Sequence, residues 1–333
     1  MKFHTHDIDN EIFIVAEIGN NHEGDLKVAE ELIKEAALSK VDAVKFQTFI
    51  PENYVTSSDI KRIETLKRFQ FSRDEFIYLS KLANQLGLLF FSTPFDIKSA
   101  HFLNQIQPIF KISSGDNNFF PLIDEIFKFN KPTIISTGLA DFDLLDKLYE
   151  KWNRENPALQ LSFLHCVTSY PVPDNEANIK RISELKNRFP EAIIGYSDHT
   201  LGIETACLAA SLGARIIEKH FTLDKNYSNF RDHQLSSDPN ELKNLVERIR
   251  KIENLLDPIN NTLSNSQESN RVAVRRSIAA SRDIKNDKQI LPKDLIWLRP
   301  GNGFPPGKEN LIVGKRSKRF IKKGEIIFPE MID

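Results

Sequence analysis

Residues 195–222 read GYSDHTLGIETACLAASLGARIIEKHFT. A short apolar run at residues 192–194 precedes this segment, and another at residues 214–217 precedes EKHFT. Residues 203–212 between them have the pattern of a small-residue amphipathic helix. The segment is therefore predicted to form a strand, a helix and a second strand. Because parallel strands joined by a helix point the same way, His199 and His220 are expected on one rim of one sheet.

Two histidines at neighbouring strand ends suggest a metal site. Imidazoles that converge beside carboxylates suit a divalent cation such as manganese or zinc, and Asp198 and Glu218 are the adjacent carboxylates in the sequence. The alternative is a structural pair of hydrogen-bonded histidines. The pattern along the rest of the chain favours the metal.

Strand-like and helix-like segments alternate through the first 220 residues. The strand-like runs lie at residues 12–16, 41–46, 88–91, 109–112, 133–135, 161–164, 192–194 and 214–217. Helical patterns lie between them, for example at residues 26–39, 60–69 and 73–86. Eight strands followed by helices predict a (β/α)₈ TIM barrel. An open doubly wound sheet is the alternative, but it needs a glycine-rich phosphate turn after the first strand, where this chain has Asn20, Asn21 and His22.

The barrel predicts where function lies, since active sites in this fold form at the carboxyl ends of the strands. The polar residues at those ends are Glu17, Lys45, Gln47, Thr93, Lys111, Ser114, Asp116, Ser136, Thr137, His165, Tyr170, Ser197, Asp198, His199, Glu218 and His220. Buried lysines beside serine hydroxyls bind phosphate or carboxylate, so Lys45 and Lys111 are predicted to hold an anion. The alternative role for one of them is a Schiff-base nucleophile.

Composition sets limits on the class of protein. The 333 residues are 40% hydrophobic and carry 45 basic against 46 acidic side chains, which is typical of a globular protein large enough for two domains. Two cysteines form no disulfide framework, and neither a signal peptide nor a membrane span is expected, so we predict a cytoplasmic protein. Residues 271–333 carry 15 Lys and Arg against 7 Asp and Glu, which suggests a small basic domain that covers an anionic substrate and does not bind nucleic acid.

The predicted domain boundary lies after a long helical pattern at residues 240–256. The next residues are rich in asparagine and serine, as linkers are. We therefore predict a barrel over residues 1–256, a linker over 257–272 and a small domain of short strands and turns over 273–333.

Seven motifs in this order resemble the sialic acid synthase family. They are AEIGNNHEG (residues 16–24), VKFQT (44–48), FSTPF (91–95), KISSG (111–115), ISTG (135–138), GYSDHT (195–200) and EKHFT (218–222). In the last part of the chain, RRSIAA (275–280), LRPGNG (298–303) and IKKGE (321–325) resemble the antifreeze-like, or SAF, domain that ends these synthases. The resemblance covers nearly the whole chain.

The resemblance implies a reaction in which phosphoenolpyruvate condenses with an N-acylated hexose to give a nine-carbon acidic sugar and phosphate. It implies that His199 and His220 bind manganese or magnesium, and that Glu17 and Glu218 act with them as catalytic residues that manage water and protons. The implied phosphoenolpyruvate-binding residues are Lys45, Thr93, Lys111, Ser114, Ser136 and Ser197. The implied sugar-binding residues are Gln47, Tyr170, Asp232 and Arg299. The resemblance also implies a homodimer in which the C-terminal domain is swapped, so that Arg299 reaches the partner's barrel.

The sequence leaves alternatives open for the identity of the sugar and for the class of reaction. Arg231 stands beside Asp232 where relatives often have proline, which leaves the sugar as N-acetylmannosamine or a diacetamido-trideoxyhexose of the legionaminic or pseudaminic type. A lysine-dependent aldolase and a non-catalytic sugar-binding protein are the alternative functions.

Overall fold

The computed structural model describes residues 2–3, 6–8, 11–256 and 264–333. The chain divides into two compact units, residues 1–256 and residues 257–333. Within the described residues, no helix is long and apolar enough to cross a membrane.

The first unit contains eight parallel strands in a nearly closed barrel. They are β1 (Phe13–Gly19), β2 (Ala43–Thr48), β3 (Leu89–Pro94), β4 (Phe110–Ile112), β5 (Thr133–Ser136), β6 (Leu161–His165), β7 (Ile193–Asp198) and β8 (Ile216–His220). The order around the barrel is β3-β2-β1-β8-β7-β6-β5-β4, and β4 packs beside β3. The predicted TIM barrel is confirmed, and the open doubly wound sheet is wrong because β1 pairs with the last strand, β8.

Helices surround this barrel. They are α1 (Leu26–Leu38), α2 (Pro51–Tyr54), α3 (Ile60–Phe69), α4 (Arg73–Gln85), α5 (Ile97–Leu103), α6 (Phe120–Lys128), α7 (Phe142–Glu155), α8 (Arg181–Arg188), α9 (Glu204–Ser211), α10 (Arg231–Leu235) and α11 (Pro239–Leu256). Several begin where the sequence provides a cap. Ser72 forms a reciprocal capping box with Glu75 at the start of α4, and Asp96 accepts a hydrogen bond from the backbone of Ser99 at the start of α5.

Alternation along the strands divides the barrel wall into two faces. One set of side chains, which includes Ile14, Phe46 and Ile217, packs against the helices in the main core. The other set fills the inside of the barrel. Its lower layer is apolar and consists of Ile8, Phe13, Val15, Ala43, Phe91, Ile109, Ile134, Leu164, Ile193 and Ile216. Because side chains on one face of a strand recur every second residue, the next inward positions lie above this layer, at the carboxyl ends.

Two short strands, Lys2–Phe3 and His6–Asp7, pair antiparallel at the start of the chain. Ile8, which follows them, belongs to the apolar layer inside the barrel.

The second unit is small. It contains α12 (Asn265–Val274) and an antiparallel pair, β9 (Ser277–Ala280) and β10 (Leu295–Leu298), joined to several one-turn helices. Its core is mostly isoleucine and includes Ile278, Ile284, Ile290, Ile312, Ile321 and Ile327. The later part of the predicted linker is therefore helical, and residues 257–263 lie outside the described residues.

Candidate active site

Two buried lysines and two buried glutamates meet above the apolar layer of the barrel. Nζ of Lys45 lies 3.2 Å from Oε2 of Glu17 and 3.3 Å from Oε2 of Glu218. Nζ of Lys111 lies 3.2 Å from Oε1 of Glu218. The four side chains come from β1, β2, β4 and β8, and each is an inward residue two positions after a member of the apolar layer. We call these four residues the charge cluster.

Burial and mutual attraction set the ionisation of the charge cluster. Burial raises the pKa of the Glu17 carboxyl to about 7, although Lys45 lowers it. Burial also raises the pKa of the Glu218 carboxyl, but the positive charges of Lys111 and Lys45 outweigh this effect and hold that pKa well below its usual range. Burial would lower the pKa of Lys45, but the two glutamates raise it above its usual value. With Glu17 protonated, the cluster carries a net charge of about +1, as an anion site requires.

The second lysine differs from the first. Burial lowers the pKa of Lys111, and the opposing effect of Glu218 does not fully compensate. Lys111 is therefore the lysine that could more easily lose its proton, which is the property that a Schiff-base nucleophile needs.

Hydroxyl groups lie around the charge cluster. Ser197 Oγ donates to Glu218 Oε1 at 2.8 Å, and Lys45 Nζ donates to Thr93 Oγ1 at 3.4 Å. Ser114 and Ser136 line the same pocket, and Ser114 Oγ lies 2.8 Å from Cys166 Sγ. The structure thus brings all six predicted phosphoenolpyruvate-binding residues together.

Gly138 leaves space for two hydroxyl groups in the pocket. A Cβ atom at Gly138 would lie 2.7 Å from Ser114 Oγ and 2.4 Å from Thr168 Oγ1. Both contacts are shorter than real Cβ atoms show, so the close approach of these hydroxyls depends on the absence of a side chain at position 138.

His199 and His220 lie beside the charge cluster with their ring centroids 5.4 Å apart. Burial lowers the pKa of His199 to about 4 and lowers the pKa of His220 well below its ordinary value, so both imidazoles are neutral at pH 7. Nδ1 of His199 lies 2.8 Å from the carbonyl oxygen of Val167, which fixes the ring and leaves Nε2 with the lone pair. Nδ1 of His220 is buried without a hydrogen-bond partner.

A divalent metal at this place would have two neutral imidazoles as protein ligands, one of them with an unpaired buried nitrogen, and would need water or substrate for the rest. The sequence suggested Asp198 and Glu218 as nearby carboxylates, but Asp198 faces the helices and pairs with Lys219, while Glu218 pairs with the two lysines. In the part of the chain that the structure describes, no group of three or more His, Cys, Asp or Glu side chains could hold a metal. The prediction that Asp198 converges with the histidines is therefore wrong.

Three of the predicted sugar-binding residues line the same pocket. Gln47 Nε2 donates to Glu17 Oε1 at 3.2 Å. The ring centroids of Tyr170 and His199 lie 4.2 Å apart. Asp232 is buried, which raises the pKa of its carboxyl, and its Oδ1 lies 3.3 Å from Nε of Arg231. Arg299 follows β10 in the second unit, where its side chain is exposed, and its role stays a prediction.

The pocket has a volume of about 470 Å³. Several residues that line it were not predicted: Asn20, Tyr54, Arg62, Leu66, Phe69, Cys166 and Phe230. Most belong to α2, α3 and the segment before α10, where no strand periodicity marks a position as inward-facing. Asn20 and Cys166 follow β1 and β6 instead. Cys166 lies two residues after inward-facing Leu164 and could have been found from that spacing.

The chain is similar to known proteins over both of its units. Residues 32–260 match the NeuB family, and residues 275–333 match the SAF domain. The chain is 36% identical over 329 residues to an N,N'-diacetyllegionaminic acid synthase of Campylobacter jejuni, with 94% of this chain and 98% of that protein covered. It is 38% identical over 339 residues to the protein of the same name from Legionella pneumophila, with 96% and 94% covered. The crystal structure of an N-acetylneuraminic acid synthetase from Leptospira borgpetersenii in complex with citrate is similar with a TM-score of 0.76 and 33% identity, over 81% of this chain and 94% of that one.

Proposed function

Because the chain belongs to the NeuB family, whose relatives named above are sialic-acid-type synthases, we propose that it condenses phosphoenolpyruvate with an N-acyl hexosamine. The products are a nine-carbon 2-keto acid and inorganic phosphate. The observation that carries the proposal is the buried charge cluster, in which Lys45 and Lys111 share Glu218 beneath a set of hydroxyl donors. A small, highly charged anion such as phosphoenolpyruvate matches this combination of cations and donors.

His199 and His220 would hold a divalent metal, manganese or magnesium. When bound, the metal supplies Lewis-acid polarisation of the sugar aldehyde. This polarisation matters because the methylene carbon of an enol phosphate is a weak nucleophile.

The chain's own residues account for the remaining chemistry. The methylene carbon forms a bond to the aldehyde carbon, the π bond of the aldehyde breaks, and its oxygen takes up a proton as a hydroxyl group. Positive charge develops at the carbon that bears phosphate. A carboxyl with a pKa near 7, such as Glu17, suits removal of a proton from the water that attacks this carbon. The resulting tetrahedral intermediate breaks its C–O bond to phosphate, and Lys45, Lys111 and Ser197 stabilise the charge of the leaving group.

The names of the relatives guide the choice of sugar. Both synthases reported above are named for N,N'-diacetyllegionaminic acid, so a 2,4-diacetamido-2,4,6-trideoxyhexose is the first acceptor to test and N-acetylmannosamine is the second. We further propose that the enzyme works in the cytoplasm, where phosphoenolpyruvate is made, as a homodimer with swapped C-terminal domains.

The experiment is an assay of phosphate release with manganese, phosphoenolpyruvate and each sugar in turn. Release that requires all three components supports the proposed function. No release with either sugar, from folded protein with manganese bound, would contradict it.

A further inference from the structure

Unpaired polar atoms in the pocket point to a ligand contact that the sequence did not suggest. Among the pocket-lining side chains that the structure describes, four carry a buried oxygen or nitrogen atom without a hydrogen-bond partner: Glu17 Oε2, Glu218 Oε2, His220 Nδ1 and Asn20 Oδ1. The two carboxylate oxygens form ion pairs with Lys45. The His220 nitrogen belongs to the imidazole pair. Asn20 Oδ1 is the atom that remains without a role.

The neighbouring amides fix the direction of the Asn20 side chain. Gln47 Nε2 donates to Glu17 Oε1 at 3.2 Å, so Gln47 Oε1 is left as an acceptor. Asn20 Nδ2 donates to that oxygen at 2.8 Å. When Glu17 is ionised and its Oε1 accepts from Gln47, the carbonyl oxygen of the Asn20 amide is the free end, and it is an acceptor that lacks a protein donor.

An unpaired acceptor at this depth is costly. Asn20 is 7% exposed, and a buried acceptor is stable only with a donor beside it. A ligand in the pocket can bring that donor.

The chemistry of the two substrates decides which of them brings the donor. Phosphoenolpyruvate at neutral pH has only acceptor oxygens on its phosphate and carboxylate, and these would repel a carbonyl oxygen. An N-acyl hexosamine carries hydroxyl groups and an amide N–H, all of which donate. Asn20 Oδ1 therefore suits the sugar and not the enol phosphate.

We propose that Asn20 is a sugar-binding residue whose Oδ1 accepts a hydrogen bond from a hydroxyl or acylamino N–H group of the acceptor sugar. This inference rests on the proposed function, because it assumes that an N-acyl hexosamine enters the pocket. Asn20 also holds the amide of Gln47, so the two side chains form one continuous polar surface next to Glu17.

Asn20→Ala tests the proposal by calorimetry, with N-acetylmannosamine and a 2,4-diacetamido-2,4,6-trideoxyhexose titrated separately into the intact protein without phosphoenolpyruvate. Loss of one hydrogen bond to a neutral donor should weaken binding of the preferred sugar about three- to tenfold. A separate titration with phosphoenolpyruvate should give an affinity within about twofold of the wild-type value. Equal sugar affinity in the variant and the wild type would show that water alone satisfies Asn20 Oδ1, and would overturn the proposal.

Asn21→Ala is the matched control. Asn21 is the next residue in the same loop, but its Nδ2 donates to the carbonyl oxygen of Phe221 and to Ser236 Oγ, each at 2.9 Å, and it does not line the pocket. An equal loss of sugar affinity in this variant would assign the effect to a loosened loop and would also overturn the proposal.

Calorimetry separates this inference from the proposed function. Sugar binding that depends on Asn20, in a protein that releases no phosphate, would support the inference and contradict the proposed reaction. Sugar-dependent phosphate release with the same KM for the sugar in Asn20→Ala and in the wild type would overturn the inference and leave the proposed reaction in place.

Discussion

Lys219 and Asp198 form a fully buried ion pair on the outer face of the barrel wall, with Nζ of Lys219 3.0 Å from Oδ2 of Asp198. The two residues face each other across β7 and β8, and each directly precedes one of the paired histidines. Lys219 Nζ also donates to the carbonyl oxygen of Thr200, and Asp198 Oδ1 accepts from the backbone N–H and hydroxyl of Thr200. The network therefore fixes the backbone on both sides of His199.

Removal of one partner should destabilise the protein strongly. Lys219→Met leaves the Asp198 carboxylate buried without its cation, which costs about 3–5 kcal/mol for buried pairs of this kind. The free energy of unfolding, measured by urea denaturation at pH 7, should fall by that amount. The combined variant Lys219→Met, Asp198→Leu should recover much of the loss, because no charge is then left unpaired.

The surface pair of Lys67 and Glu52 provides the comparison. Nζ of Lys67 lies 2.6 Å from Oε1 of Glu52, which is closer than the atoms of the buried pair, but both side chains are more than half exposed. Lys67→Met should leave the unfolding midpoint close to the wild-type value, because water already solvates both charges. A loss as large as that in Lys219→Met would show that burial is not the reason why the Lys219–Asp198 pair stabilises the protein.

The charge of Glu17 should make stability depend on pH. The pKa of the Glu17 carboxyl is about 7 in the folded protein and has the ordinary value of 4.5 in the unfolded chain. The folded protein therefore holds this proton more tightly, and the stability that results is fully present below pH 4.5 and is lost as the pH rises through 7. Glu17→Gln removes this loss. At pH 8 the variant should therefore be more stable than the wild type by on the order of 2–3 kcal/mol, and the gain should shrink towards pH 5. Thermal unfolding at both pH values tests this, and a gain that is the same at both would contradict it.

Loss of an imidazole should abolish the proposed reaction by removing metal. His220→Ala should reduce phosphate release at least about a hundredfold and reduce manganese binding, measured by electron paramagnetic resonance. His101→Ala is the matched control, since His101 is exposed on α5 and pairs with Glu125 at 3.4 Å. Treatment of the wild type with a chelator should reproduce the effect of His220→Ala. Full activity without metal would contradict the proposed role of the imidazole pair.

The lysine-dependent aldolase makes a different prediction from the synthase. Borohydride should trap a pyruvate adduct on a Schiff-base lysine, and Lys111, whose pKa is lowered, is the residue that the structure favours for it. We expect no adduct, because the lysine also lies 3.2 Å from Glu218, which stabilises its cation. Mass spectrometry after reduction checks this, with Lys111→Met as the control for the labelled position. An adduct that disappears in that variant would favour the aldolase.

Strand periodicity explains which parts of the site could be predicted. Glu17, Lys45, Lys111 and Glu218 follow apolar strand residues at the carboxyl ends of parallel strands, so the barrel fold itself brings them together. The same periodicity, applied more strictly, would have placed Asp198 on the outer face, because Ser197 before it faces inwards. Asn20 lies beyond the regular part of β1, and its orientation depends on contacts with residues distant in sequence. Periodicity contains no information about such contacts.

The proposed domain swap can be tested with two inactive variants. If Arg299 of one chain completes the barrel of its partner, Arg299→Ala and His220→Ala chains that reassociate will form mixed dimers in which one site carries both changes and the other carries neither. Random mixing makes half of the dimers mixed, so activity should recover to about one quarter of the wild-type value. If each C-terminal unit serves its own barrel, every site keeps one defect and the mixture stays inactive. The assay is phosphate release after the two purified variants are unfolded and refolded together, with each variant refolded alone as its control, and recovery near zero would contradict the swap.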